Sequence, residues 1–332
     1  MNFTAAAASK SAGARADPGL HIAFCVDDNY FRSMGATITS IISNNPGRQF
    51  TFHVLAFEVA ERHRASLLEL ERRFNVRTQL HIIDPATFSE LGHFIKNSYY
   101  SLSIFSRLLI PAILQGVASK VLYLDADILC VGKLDELIDM DLGGDIAAAV
   151  ADAPLTAERR SRALGLQHGR YFNSGVLYIN VDHWIAQQVT ARTLEVLAQG
   201  NKRLRFSDQD ALNIVLGGHI RYLDGKFNTI YDLVRDMERD VRTMHAPGKA
   251  VLLHFAGAIK PWADWNRHEA RALFCRYHAM SPWSDMPLDA APRNPREMRL
   301  QSRFLKNRGE FRSALVWYGR YLKARLGQSL HQ

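Results

Sequence analysis

The chain has 332 residues, 47% of them hydrophobic and 22% charged, which suits one large α/β domain with a smaller appendage. No apolar run approaches the roughly 20 residues that span a bilayer, which excludes a membrane-spanning helix. The formal net charge of +8 is local: ten basic and two acidic residues fall between Arg293 and Arg325, and the rest of the chain is balanced, which argues against a nucleic-acid groove across the main body.

Residues 1–18 are rich in Ala and Ser without the apolar core of a secretory signal, and read as a disordered leader. Cys25, Cys130 and Cys275 are odd in number and lack CxxC spacing, which fits a reducing compartment rather than a disulfide framework or a zinc knuckle. The expected elements then follow in order. Leu20–Val26 is a buried strand, Ser33–Ser43 a helix, Phe50–Phe57 a strand, and Glu58–Phe74 a charged amphipathic helix. Thr78–Ile83 is a third strand. Ser103–Leu114 is helical with an internal Pro111, and Lys120–Leu124 is a fourth strand running into Asp125. Further strands are expected at Ile146–Ala151, Gly175–Asn180 and Val251–Phe255. This alternation predicts an α/β fold, a mostly parallel sheet with helices on both faces. Beyond Trp262 the strands give way to Arg-rich helices, which places a boundary near Ala270.

Ligands of such sheets bind at the carboxyl ends of strands, and polar clusters follow strand after strand here. Asp125-Ala126-Asp127 puts two carboxylates two residues apart at a strand end, where they can chelate a hard cation or stand as a solvated pair of acids. His254 ends the apolar run Val251-Leu252-Leu253. If it meets the Asp pair, an O,O,N set favours manganese, with magnesium as the alternative. Asp27 and Asn29 offer the donors and acceptors a nucleoside needs, or simple turn chemistry. Arg107, among apolar neighbours, requires an anionic partner, whether a structural carboxylate or a substrate. Asn173 binds a sugar hydroxyl or shapes a turn. Ser207-Asp208-Gln209-Asp210 caps a helix or presents a carboxylate to a sugar. Gly257 permits close backbone approach, Lys260 suits a diphosphate, and Trp262 either covers the site or anchors its loop.

The stretches HIAFCVDDNY, SLSIFSRLLIP, KVLYLDADILCVGKLDEL, YFNSGVLYINVDHW, FSDQDALN and LHFAGAIKPW occur in the order found in glycosyltransferase family 8, the retaining enzymes that include bacterial lipopolysaccharide galactosyl- and glucosyltransferases. The chain resembles that family over roughly residues 20–265. The resemblance implies the nucleotide-sugar-binding glycosyltransferase A fold, with a catalytic domain over 19–270 and a helical basic extension over 271–332. It implies that Asp27 and Asn29 contact the nucleoside and that Arg107 helps hold the donor. Asp125, Asp127 and His254 would bind manganese. Asp152, Asn173, Asp208 and Gln209 would surround the donor sugar, and Gly257 and Lys260 would meet the diphosphate. The donor would be UDP-glucose or UDP-galactose, the acceptor a lipopolysaccharide core, and the linkage α. The tail, from Ser281-Pro282-Trp283 onward, resembles the extension of the lipopolysaccharide core hexosyltransferases.

Within that tail, Leu315, Tyr318, Leu322 and Leu326 share one helical face with Arg312, Arg320 and Lys323 beside it, while Arg325 intrudes on the apolar side. The pattern fits either an anionic membrane surface or a helix packed on the domain. The expected location is cytoplasmic, peripherally attached to the inner membrane. Two other classes share parts of the pattern. A haloacid dehalogenase-type phosphatase also carries D-x-D after a strand, normally near the start of its domain, and a non-catalytic nucleotide-sugar-binding protein would share the pocket.

Overall fold

The computed structural model describes residues 19–94, 102–166, 169–199, 203–245 and 248–329; the expected leader lies outside them. Strand β1 (Leu20–Cys25) runs into helix α1 (Phe31–Asn44), then β2 (Phe50–Ala56), α2 (Glu61–Phe74) and β3 (Arg77–Ile82). The expected helix over Ser103–Leu114 divides in two, a 3₁₀ segment Leu102–Leu109 and a short α3 (Ile110–Leu114) with Pro111 in its first turn. Proline is tolerated there because no intrahelical N–H is required of it. β4 (Lys120–Leu124), β5 (Ile128–Cys130), α4 (Asp135–Ile138), β6 (Ala147–Ala151) and α5 (Pro154–Leu164) follow. Then come β7 (Phe172–Asn180), α6 (Val181–Ala186), α7 (Val189–Ala198), α8 (Ser207–Val215), β8 (Ile220–Tyr222), β9 (Thr229–Ile230) and α9 (Leu233–Glu238). The chain closes with β10 (Leu252–His254), α10 (Glu269–Met280), α11 (Pro295–Asn307) and α12 (Phe311–Ser329).

Seven strands form one sheet in the order β3-β2-β1-β4-β7-β6-β8. All its pairings are parallel except those of β7, which runs antiparallel to both β4 and β6. The result is a mixed α/β fold with a mostly parallel central sheet, as the alternation predicts. The strand expected at Val251–Phe255 differs: β10 joins a separate three-stranded sheet, β5-β10-β9. Sequence cannot assign a strand to a sheet, because an apolar run looks the same in either.

Alternate residues of β1 and β2 serve two cores. Ile22, Phe24, Phe52 and Val54 face one cluster with α1, and Ala23 and Leu55 face another with Phe105 and Leu108 of the 3₁₀ segment. Helix α1 is buried from Phe31 to Ile41 and carries hydroxyls on its inner side. Thr37 Oγ1 donates to the Ile128 carbonyl (2.6 Å), and Ser40 Oγ accepts from the Cys130 N–H (2.9 Å), so the helix satisfies one edge of β5.

The start of the C-terminal region is woven into this body. Ala270, Phe274 and Tyr277 of α10 share a core with Phe255, Ile259 and Trp262. Trp262, stacked edge-on against Tyr30, is 4% exposed, so it anchors its loop and does not cover the site. The Trp283 indole is buried against Gly35, where a Cβ would lie 2.3 Å from the ring, and its N–H donates to His63 Nδ1 (3.0 Å). His63 Nε2 in turn reaches Asp28 Oδ1 (2.8 Å), in the turn after β1. Beyond these, α11 and α12 pack on each other as a helical hairpin.

Candidate active site

Two strand pairings, one in each sheet, converge on the Asp125-Ala126-Asp127 turn. β4 lies antiparallel to β7, and the Asp125 N–H donates to the Gly175 carbonyl (2.8 Å). β10 lies antiparallel to β5 with His254 opposite Ile128, and the Phe255 N–H donates to the Asp127 carbonyl (3.0 Å). The second pairing brings a histidine from far along the chain beside the two carboxylates. His254 Nε2 lies 3.2 Å from Asp127 Oδ1 and 3.8 Å from Asp125 Oδ2. One ligand atom from each residue falls within 4.8 Å of the others.

The residues fit a divalent cation on two observations. Asp127 Oδ1 is buried and receives no hydrogen bond, an arrangement that costs free energy unless something else meets the oxygen. A Cβ at Gly175 would stand 2.4 Å from His254 Cε1 and 2.8 Å from Asp125 Oδ2, so only glycine lets the three ligands close together. Lys260 Nζ donates to Asp127 Oδ2 (2.5 Å) and to the Phe255 carbonyl (2.7 Å). Burial alone would raise the Asp127 carboxyl, but the Lys260 ammonium and then His254 overcome it and hold the group below the usual carboxylate range.

Arg107 occupies the middle of the site. Its guanidinium stacks over the Tyr123 ring at 4.5 Å, donates to Ser174 O (2.9 Å) and Oγ (3.1 Å), and reaches Asp125 Oδ1 (3.1 Å). Its Nε lies 3.2 Å from Asp208 Oδ2 but donates to the Ile104 carbonyl, so that Asp208 oxygen has no hydrogen bond. Burial raises the Asp208 carboxyl; Arg107 opposes this, and Asp125 adds to it.

Beside them the Gln209 amide is held at both ends. Its Oε1 accepts from Ser174 N (3.0 Å) and Ser174 Oγ (3.3 Å), and its Nε2 donates to Asp152 Oδ2 (2.9 Å) and Tyr171 Oη (3.0 Å). Asn173 Nδ2 reaches the same Asp152 oxygen (3.2 Å). The next residue, Asp210, differs in role. It is buried, accepts two hydrogen bonds from Arg160 and one from Tyr171, and caps the backbone N–H groups of Arg205 and Phe206, which anchors α8 so that Asp208 and Gln209 face the cavity.

The cavity enclosed by these groups measures about 270 Å³. Of the residues singled out from sequence, Arg107, Asp125, Asp127, Asp152, Asn173, Asp208, Gln209, His254 and Lys260 line it. Asp27, Asn29 and Gly257 do not. Asp27 Oδ1 accepts the Asn29 N–H (3.0 Å) in a turn whose next residue, Tyr30, does line the cavity. Gly257 lies against the Asp232 carboxylate, 2.4 Å from where its Cβ would be, so the glycine serves close packing. Sequence reasoning missed Tyr123, Ser174 and Asn228. Tyr123 and Ser174 lie inside recognised stretches, whereas Asn228, in Lys226-Phe227-Asn228-Thr229, carries no local signal.

Known proteins are similar to this chain over most of its length. "Lipopolysaccharide 1,2-glucosyltransferase" of Escherichia coli is 30% identical over 278 residues, covering 82% of this chain and 81% of the relative. "Lipopolysaccharide 1,3-galactosyltransferase" of Salmonella typhimurium is 30% identical over 313 residues, covering 92% and 91%. The galactosyltransferase LgtC, solved with donor and acceptor sugar analogs, superposes with a TM-score of 0.67 at 26% identity, over 79% of this chain and 96% of that one. The "Glycosyl transferase family 8 C-terminal" profile matches residues 270–325. With the "Glycosyl transferase family 8" profile matching residues 21–266, the body that carries the whole cavity, the chain belongs to glycosyltransferase family 8.

Proposed function

We propose that the chain moves a hexose, glucose or galactose, from a UDP-sugar to a lipopolysaccharide core acceptor with retention, forming an α-linkage. The observation that carries the reading is the closed set of Asp125, Asp127 and His254 on the cavity floor, with an orphaned carboxylate oxygen and a glycine where any side chain would intrude. Family membership supports glycosyl transfer over phosphatase chemistry, and the names of the relatives support the lipopolysaccharide acceptor.

Asp125, Asp127 and His254 would hold the cation, manganese before magnesium because imidazole is among the donors. When bound, such an ion supplies Lewis-acid neutralisation of the diphosphate leaving group. Lys260, already against Asp127, is the cation of this chain suited to the same diphosphate. Asp27 and Asn29, beside Tyr30, are assigned to the nucleoside, and Gly257 to the backbone that approaches the diphosphate. Asp208, with an oxygen free of hydrogen bonds, and Asp152 and Asn173 are assigned to the donor-sugar hydroxyls. Arg107 is already bound to Asp125 and Ser174, so it acts on the donor by orienting carboxylates.

Gln209 is the positional candidate for a covalent nucleophile. Its carbonyl oxygen already accepts two hydrogen bonds from Ser174, which leaves little electron density for attack. This favours same-face attack, with the leaving phosphate oxygen assisting the acceptor's deprotonation. A trapped glycosyl adduct on the wild-type enzyme would overturn it.

Residues 19–270 are assigned as the catalytic unit and 271–332 as the extension. Among the described residues no helix is long and apolar enough to cross a membrane. On α12, Phe311, Leu315, Tyr318, Leu322 and Leu326 are all exposed along one stripe, with Arg312 and Lys323 alongside. That face supports peripheral attachment to the anionic cytoplasmic surface of an inner membrane. The test of the enzyme reading is UDP release from UDP-glucose and UDP-galactose with manganese and a truncated core acceptor. Release from one donor, abolished by EDTA and by Asp127→Ala, is the expected result; silence with both donors would sink it.

A further inference from the structure

We propose that Asn228 is a positioning residue that sets the tautomer of His254 and so delivers its Nε2 lone pair to the metal site. The inference rests on the metal reading above and concerns a residue outside every recognised motif.

The argument starts from a backbone group whose chemistry cannot be reversed. The Gly175 N–H can only donate, and it donates to Asn173 Oδ1 (3.0 Å). That fixes which end of the Asn173 amide is oxygen, and its Nδ2 then points at Asp152 Oδ2, a carboxylate that accepts (3.2 Å). The same Asn173 oxygen lies 2.9 Å from the Asn228 amide, which must therefore present its Nδ2 there. Asn228 is left with its Oδ1 facing His254 Nδ1 at 2.9 Å. An amide oxygen accepts only, so His254 carries a proton on Nδ1, and in the neutral ring Nε2 is the nitrogen with the lone pair.

The bare nitrogen is the one turned towards Asp127 Oδ1 and Asp125 Oδ2. In the neutral ring this nitrogen has no proton to give Asp127 Oδ1, the oxygen that no hydrogen bond satisfies. A lone pair set against two carboxylates repels them, and a cation in their midst converts the repulsion into three bonds. Asn228 is 3% exposed and His254 also 3%, so water does not compete for either. The relay also ties the metal ligand to Asp152 and Asn173, the groups assigned to the donor sugar.

Two measurements test this. In the wild-type protein labelled with ¹⁵N-histidine, at a pH where the imidazole is neutral, ring-nitrogen correlation spectra are expected to show His254 protonated on Nδ1. A proton on Nε2 overturns the proposal without any variant. Titration with Mn²⁺ alone, followed by electron paramagnetic resonance, is expected to show Asn228→Leu binding roughly 10–100-fold more weakly, the range for loss of a group that orients a metal ligand. Asn228→Asp keeps an acceptor for Nδ1–H while losing the donor to Asn173 Oδ1, and is expected to retain the tautomer in the same spectra. A folded Asn228→Leu protein with wild-type affinity overturns the proposal, as does an Asn228→Asp protein whose His254 carries its proton on Nε2. If Asn228→Leu fails to fold, the wild-type tautomer and the aspartate variant still decide. Failure of the wild type to bind Mn²⁺ at all would instead count against the metal reading.

Discussion

The cavity floor and the C-terminal hairpin are both rich in charge, and they use it in opposite ways. On the floor, Arg107 and Lys260 are buried or half-buried and each lies against a carboxylate. A buried charge without such a partner is strongly destabilising, so each cation is placed where a carboxylate meets it. On α12, Arg312 and Lys323 flank an exposed stripe of Leu315, Leu322 and Leu326. There Arg320 is exposed and lies over the Trp317 ring at 4.5 Å. The difference teaches that a cation in the first region is held by the fold, and in the second stands in solvent.

The largest expected effect tests the precision of the floor. Gly175→Ala is expected to lower both Mn²⁺ affinity and transfer by about 100-fold or more, because its methyl would lie within 3 Å of His254 and Asp125. Metal titration and UDP release measure it, and a variant with near-normal affinity would show that the floor has more room than the geometry allows.

An acid weakness also belongs to the buried side. His21, His53 and His81 contact one another across β1, β2 and β3, at 2.9 and 3.2 Å. Burial, then His81 and His21, push the His53 imidazole down to about 3 from its ordinary 6.5. The unfolded chain therefore binds more protons between those values. Stability is full above about pH 6.5 and is lost as pH falls towards about 3. Denaturant midpoints across that window should show the loss, and His53→Phe should flatten it.

At the junction between the regions, Trp283→Phe keeps the apolar bulk but strands His63 Nδ1, a buried acceptor. A loss of about 1–3 kcal/mol is expected, measured by denaturant unfolding. An effect near zero would separate the extension energetically from the body. The smallest effect lies on the hairpin. Lys323→Ala is expected to weaken binding to phosphatidylserine vesicles by about 1 kcal/mol at low salt, less at high salt, with transfer to a soluble acceptor unchanged. An unchanged vesicle affinity would remove that residue from the proposed surface.

Legibility followed the physics of each region. Nine of the site residues named from sequence line the cavity, because strand ends are readable and ligands gather there. Asn228 carries no local signal because its partner is an amide 55 residues earlier, in β7. The double service of Ser207-Asp208-Gln209-Asp210 was half seen: Asp210 holds the helix so that its neighbours can face inward. The strand ending in His254 was recognised as a strand but not as part of a second sheet, since hydrogen-bond partners leave no trace in an apolar run.

By itself the sequence determined the alternation of strands and helices, the positions of the polar clusters at strand ends, and the concentration of positive charge in the tail. Periodicity and composition are local properties and survive in one dimension. Only the tertiary structure decided that β10 pairs with β5 and brings His254 beside Asp127, that Gly175 must have no side chain, and that the apolar stripe of α12 is left uncovered. Each of these depends on which distant segments touch, and contact distance is set by packing in three dimensions.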